Sequence, residues 1–355
     1  MREYGFEDLT LDHVKFYVSD AEGAAASLSA AYGLGIAPTS GKPDEDVGGA
    51  RSALVGVDGI RLVLTEAVED DHPARAFVEA HGDGVSDVAI AVDDVHRTFA
   101  EAVRGGARVI ARPAEAHGVV TAAIGGFGDV IHTLVQRPHG LKPGPLPDPA
   151  AGGDGTGLHR IDHFAVCVEA GQLQPTVGFY QRALGFDMTF EERITVGRQA
   201  MNSMVVQSPD RTITFTILEP DRSRASGQID DFLKNHGGPG VQHIAFTSDD
   251  IVTSIERLRD RGVEFLSTPA SYYEILPGRI EHPDHAVPDL RRLDILVDAD
   301  HGGQLFQIFA RSTHPRRTYF FEIIERQGAR TFGSGNIKAL YEAVELESER
   351  APELP

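Results

Sequence analysis

Apolar residues in this chain come mainly in short runs, and two of these runs are followed by the same succession of patterns. Residues 85–92 and 241–247 are compact stretches rich in Val, Ile and Phe, the composition expected of strands. Each gives way to a polar cluster containing Asp or Ser, suited to a helix N-cap. Apolar residues then recur at helical spacing, as Val95, Phe99 and Val103 in one place and Ile251, Ile255 and Leu258 in the other. Gly105 and Gly262 stand where the two helices should stop. Strand, helix and further strands in each unit predict an α+β protein.

The similarity extends to individual residues. From Gly84 and Gly240 onward the two stretches keep one offset, so that Asp87 meets His243, Asp94 meets Asp250 and Pro113 meets Pro269. A second pair is LDHVKFYV (11–18) and IDHFAVCV (161–168), which sets His13 against His163. Internal repetition implies a duplicated architecture. We divide the chain into a first half (1–137), a linker (138–157) and a second half (158–355). The linker, PHGLKPGPLPDPAAGGDGTG, is rich in Pro and Gly and lacks apolar periodicity. The last residues, ESERAPELP, read as a solvated tail.

Composition narrows the classes. A length of 355 residues accommodates two ordinary domains, and a 41% hydrophobic fraction is that of a globular protein. A net charge of −20 opposes binding to nucleic acid or to an anionic membrane. Cys167 is the single cysteine, which excludes an internal disulfide and suits a reducing compartment. No basic-then-apolar leader opens the chain, and no apolar run is long enough to span a bilayer. The expected location is the cytoplasm.

Fifteen histidines are too many for each to be a ligand, so strand alternation is used to select among them. On IDHFAVCV, His163, Ala165 and Cys167 share one face, and Phe164, Val166 and Val168 the other. On VQHIAF, His243 and Ala245 share a face opposite Gln242, Ile244 and Phe246. Both histidines therefore lie beside small residues, which favours a cavity. Glu322 lies among Phe320, Phe321, Ile323 and Ile324, where a carboxylate is costly to bury unless paired or metal-bound. Glu325 is expected on the opposite strand face, in solvent. Two imidazoles and one carboxylate on one side of a metal make the facial triad of non-haem iron(II) oxygenases. An ordinary structural pairing of Glu322 with an arginine fits the spacing equally well.

At these residues the chain resembles the 4-hydroxyphenylpyruvate dioxygenase and 4-hydroxymandelate synthase family. The resemblance is carried by IDHFAVCV, GFYQRALGF (178–186), GQIDDFL (227–233), GVQHIAF, TPASYY (268–273), GGQLFQIF (302–309), FFEIIERQGA (320–329) and FGSGNIKALYEAVE (332–345), in that order. It implies two tandem vicinal-oxygen-chelate domains, built of duplicated βαβββ modules that curl into open β-barrels, with a C-terminal lid helix. It implies Fe(II) held by His163, His243 and Glu322. The first-half counterparts are His13, Asp87 and, when the strand ends at Arg137 and Arg326 are matched, Thr133. That set would not make the site, so the first half is expected to be structural and metal-free. Ser203, Gln228, Gln242 and Gln307 are implied as substrate-pocket residues.

Both activities of the family use 4-hydroxyphenylpyruvate and O2 and begin with oxidative decarboxylation. Ring attack with side-chain migration gives homogentisate, whereas benzylic hydroxylation gives 4-hydroxymandelate. The dioxygenase pattern has Pro and Asn where this chain has Thr216 and Leu218, and two Phe where it has Ile337 and Tyr341. These four positions resemble the synthase, an activity that would supply precursors of the 4-hydroxyphenylglycine type for secondary metabolism such as antibiotic biosynthesis. Other readings on the same module are a dioxygenase of tyrosine catabolism, an extradiol ring-cleaving enzyme, and a non-catalytic binding or resistance protein. A homodimer is implied by the family alone. EHPDHAVPD (281–289) reads as an exposed loop, and Cys167 as a buried inert thiol facing the cavity.

Overall fold

The computed structural model describes residues 6, 9–37, 49–138, 155–196, 198–333, 335, 336 and 338. The first half runs β1 (Thr10–Tyr17), α1 (Ala21–Tyr32), β2 (Gly35–Ile36), β3 (Ala50–Val57), β4 (Ile60–Ala67), α2 (Pro73–His81), β5 (Gly84–Ala91), α3 (Val95–Arg104), β6 (Val109–Ala116), β7 (Val119–Gly125) and β8 (Ile131–Gln136). The second half repeats the scheme as β9 (Leu158–Cys167), α4 (Leu173–Ala183), β10 (Asp187–Val196), β11 (Gln199–Gln207), β12 (Thr214–Pro220), α5 (Gln228–His236), β13 (Gly240–Ser248) and α6 (Ile251–Asp260). After α7 (Ala270–Ile275) and α8 (Val287–Leu293) it ends in β14 (Leu296–Asp300), β15 (Gly303–Phe309) and β16 (Phe320–Gln327). Each half is thus a pair of βαβββ modules, as the family resemblance implies, and the two halves are alike, as the repeat predicts.

The two sheets have the same strand order, β2-β3-β4-β1-β5-β8-β7-β6 and β10-β11-β12-β9-β13-β16-β15-β14. The modules of each half meet at its centre, where β1 runs antiparallel to β5 and β9 to β13. The helices that follow β5 and β13 start as their sequences require. Asp94 accepts a hydrogen bond from the Arg97 amide at 3.0 Å, and Asp250 from the Thr253 amide at 3.1 Å, each satisfying an amide that the helix leaves open. The lid expected over GSGNIKALYEAVE lies mostly outside the described residues, although Gly335, Asn336 and Lys338 are helical.

The central pairing is bulged in both halves. Val241 faces Val166 and His243 faces Ala165, leaving Gln242 as an extra residue; the next slip, between Ala245–His163 and Phe246–Ile161, leaves Asp162. In the first half the same slips leave Ser86 and Asp12. Such extra residues break the period of two and re-aim side chains. This is why regular alternation misplaces Gln242.

The outer face of the second sheet rests on the first half. Phe127 meets Phe215 edge-on with centroids 6.0 Å apart, and His132 Nε2 lies 2.8 Å from the Tyr180 hydroxyl. Tyr32 at the end of α1 packs on Phe246 and Phe321. Phe164, Phe215, Phe246 and Phe321 are all buried here. A densely packed backing of this kind fixes the strands whose other face carries the polar residues.

Candidate metal centre

His163, His243 and Glu322 come from three strands that are neighbours in the sheet, β9, β13 and β16. Ala245 of the middle strand is paired with both His163 and Glu322, and its small side chain leaves the space between them open. One ligand atom from each of the three lies within 4.8 Å of the others. His163 Nε2 is 3.5 Å and His243 Nε2 3.2 Å from Glu322 Oε2. Among the described residues no other group of three His, Cys, Asp or Glu side chains converges in this way.

The groups behind the cluster set its orientation and charge. His163 Nδ1 lies 2.8 Å from Asp162 Oδ1, and Asp162 receives two hydrogen bonds from Arg326 at 2.8 and 2.9 Å. The bulge at Asp162 lets this carboxylate reach the ring of the next residue along the strand. The arrangement fixes the tautomer that leaves Nε2 free for a metal. Burial works against charge on His163, yet Asp162 and Glu322 raise its pKa well above the ordinary value. Burial likewise opposes ionisation of Glu322, but the two imidazoles hold its pKa far below that of a free carboxylate. His243 shifts downward, because burial outweighs the pull of Glu322. A divalent cation among two imidazole nitrogens and a carboxylate oxygen would compensate the buried charge, and this donor set with one open side suits Fe(II).

A chain of hydrogen bonds holds Glu322 from behind. Gln307 Nε2 donates to Glu322 Oε1 at 3.3 Å, and Asn336 Nδ2 donates to Gln307 Oε1 at 3.1 Å. The Tyr272 hydroxyl lies 2.7 Å from Asn336 Oδ1 and also bonds the Val297 backbone, accepting from its amide at 2.9 Å. Asn336 and Tyr272 were not singled out from sequence; a buried amide and hydroxyl have no pattern of their own until their partners are known.

The cluster opens into a cavity of about 190 Å³. Ser203, Thr216, Leu218, Gln228, Gln242 and Gln307, all read from sequence as pocket residues, line it together with His163, His243 and Glu322. Ile337 and Tyr341 lie outside the described residues. Gln242 reaches this wall because it is the extra residue of the bulge, correcting its expected place opposite His243. Sequence reading missed Phe190, Glu192, Ile194 and Met201 on β10 and β11, Ile229 on α5, and Leu266, Leu296, Phe309, Phe320 and Phe332. The alternation of Phe190, Glu192 and Ile194 was the available signal on β10.

Three further expectations are corrected. Glu325 is buried, not solvated: it accepts from the Ile251 amide at 2.8 Å and pairs with His285 Nε2 at 2.8 Å. Residues 281–289 are accordingly not all exposed loop, because His285 is partly buried and α8 begins at Val287. Cys167 occupies the His163 face but does not line the cavity. It is covered by Ile229, Phe232 and Leu233 of α5, and burial pushes its thiol pKa up, as suits an inert group.

The equivalent positions of the first half are built otherwise. Asp12 repeats Asp162, facing His13 Nδ1 at 2.6 Å and pairing with Arg137. Asp87, however, accepts from the Thr133 amide at 2.9 Å and from its hydroxyl at 2.5 Å. The acid is closed onto its neighbouring strand.

Comparison with known proteins agrees with this duplicated architecture. Residues 12–122 and 160–275 both match the Glyoxalase/Bleomycin resistance protein/Dioxygenase superfamily. The chain is 35% identical to a 4-hydroxyphenylpyruvate dioxygenase of Yarrowia lipolytica, covering 95% of this chain and 91% of that protein. It is 36% identical to one of Caenorhabditis briggsae, covering 96% and 92%. Among solved structures, a triple mutant of 4-hydroxymandelate synthase from Streptomyces coelicolor superimposes with a TM-score of 0.83 at 41% identity, covering 96% of this chain and 99% of that one. No helix among the described residues is long and apolar enough to cross a membrane.

Proposed function

The chain belongs to the 4-hydroxyphenylpyruvate dioxygenase family, and from that membership we propose that it is an iron(II) enzyme converting 4-hydroxyphenylpyruvate and O2 to 4-hydroxymandelate and CO2. His163, His243 and Glu322 would hold the ion, which supplies O2 activation when bound. Asp162 and Arg326 keep His163 in the ligating tautomer, and the Gln307–Asn336–Tyr272 chain keeps Glu322 from rotating. Phe309, Phe320 and Phe332 give the cavity apolar walls.

The observation that carries the choice of product is the wall formed by Thr216 and Leu218. Both side chains line the cavity, where the dioxygenase pattern has Pro and Asn. An aliphatic side chain at 218 provides no amide to fix the ring for attack, which would favour oxidation at the benzylic carbon. The 41% identity to the synthase structure is in keeping with the same reading. A homodimer in the cytoplasm belongs to this proposal as well. Protein loaded anaerobically with Fe(II) and exposed to O2 and 4-hydroxyphenylpyruvate should give 4-hydroxymandelate on chromatography. Homogentisate as the sole product would overturn the synthase reading in favour of tyrosine catabolism.

A further inference from the structure

Two buried oxygen atoms on the cavity wall have no partner among the described residues, Oε2 of Glu192 and Oγ1 of Thr216. Buried polar atoms are rarely left open without a reason such as a ligand. An ionised carboxylate only accepts hydrogen bonds, so the open atom of Glu192 calls for a donor. The residues lining the cavity include no Lys or Arg to provide a counter-charge. Arg193, the next residue on β10, is exposed and pairs with Asp221 instead.

The place of Glu192 in the sheet says which end of a ligand it would meet. β10 is the edge strand, three places from β9, while the metal-binding side chains lie on β9, β13 and β16. Glu192 is paired with Ser203, and Ser203 with Leu218, so these three form one row crossing the wall. Phe190 and Ile194 flank Glu192 on the same face, with Met201 and Ile229 nearby. The far end of the cavity is therefore an apolar slot for a ring, with one strong acceptor.

We propose that Glu192 accepts the hydrogen bond of the substrate's phenolic O–H and so restricts the site to para-hydroxyaryl 2-oxo acids, with the Ser203 hydroxyl beside it. The inference rests on the reading of the cavity as a 2-oxo-acid site and adds the group that recognises the opposite end. A site built to bond a hydroxyl rejects the analogue lacking it, because the acceptor then stays buried and unpaired.

Phenylpyruvate differs from 4-hydroxyphenylpyruvate only by this oxygen, which makes the pair a direct probe. Calorimetric titration of the anaerobic Fe(II)-loaded protein should show wild type binding 4-hydroxyphenylpyruvate at least about tenfold more tightly than phenylpyruvate. Glu192→Leu should abolish the preference by weakening the phenol alone, with phenylpyruvate affinity kept or improved. Glu192→Gln, whose amide oxygen still accepts, should retain part of it. The ratio of kcat/KM for the two acids, read as O2 uptake, should follow the same order whichever product is formed. Equal binding of the two acids by wild type, an undiminished preference in Glu192→Leu, or parallel loss of both acids in the two variants would each overturn the assignment. Failure of wild type to bind either acid would overturn the substrate reading and this inference with it.

Discussion

Asp87 and His243 stand at the same position in two copies of one strand, each beside a bulge, yet only His243 faces an acidic partner across the next strand. His243 Nε2 lies 3.2 Å from Glu322, whereas Asp87 receives both the amide and the hydroxyl of Thr133. The duplicated scaffold is preserved down to the Asp–His–Arg arrangement at Asp12, His13 and Arg137. Two substitutions on neighbouring strands separate a closed hydrogen-bonded pair from a cluster of the kind that could hold a cation.

This asymmetry predicts where metal is lost. Glu322→Ala removes the only carboxylate of the cluster and should weaken Fe(II) binding by about 100-fold or more, with loss of turnover. Asp87→Ala should leave metal affinity within about twofold of wild type, since metal affinity is set by the ligands and the groups that hold them. Metal titration of the two variants checks this. Equal losses would place the centre in the wrong half.

The Tyr272 hydroxyl offers a finer test. It is buried and ends the chain that leads through Asn336 and Gln307 to Glu322. Tyr272→Phe should cost about 1–3 kcal/mol by leaving the Val297 amide unsatisfied, and should also weaken metal binding by about tenfold. The adjacent Tyr273 hydroxyl donates to the Ile295 carbonyl at 3.1 Å and does not touch the chain. Tyr273→Phe should therefore lower stability in urea unfolding while leaving the metal titration unchanged. If both variants bind metal like wild type, the chain does not position Glu322.

Much of this was legible in the sequence because it depends on local periodicity. The repeat, the strands carrying His163 and His243, and the costly carboxylate at Glu322 are all written in neighbouring residues. What escaped depends on partners distant along the chain. Gln242 turns to the cavity through a register slip against β9, which no single strand encodes. Glu325 is buried because His285 and the Ile251 amide reach it from positions 40 and 74 residues away along the chain. Glu192 reads as an ordinary charge on an edge strand until the curl of the sheet closes over it.

Acid sensitivity should arise where the halves meet. The His236 ring stacks between His81 and Phe232, with its Nδ1 3.0 Å from the Gly238 carbonyl. Burial first, and then the charge of His81, with smaller contributions from His314 and Arg316, lowers its pKa from the ordinary 6.5 to about 4 against the opposing Gly238 carbonyl. Between those values the unfolded chain takes up a proton that the folded protein refuses. Stability should thus fall as pH drops from about 6.5 to about 4, by on the order of 2 kcal/mol from this residue, and be independent of it at higher pH. In His236→Phe the pH dependence of the urea midpoint over that window should be reduced by about one proton. An unchanged slope would assign the acid sensitivity elsewhere.

Product choice should respond to the wall and not to the metal ligands. Leu218 is paired with Cys167 and Ser203, and its side chain faces the cavity one row from Thr216. Leu218→Asn places an amide where the dioxygenase pattern has one, and Ile337→Phe restores the aromatic residue of its lid. Small changes in ring position relative to the oxidant decide which carbon reacts, since misplacement by about 1 Å can alter a rate by about 100-fold. The double variant should therefore produce homogentisate alongside 4-hydroxymandelate, with total O2 uptake within about tenfold of wild type and Fe(II) affinity unchanged. Chromatography of the products together with the metal titration decides the matter. Full turnover with 4-hydroxymandelate still the sole product would mean that these two positions do not select the carbon that is oxidised.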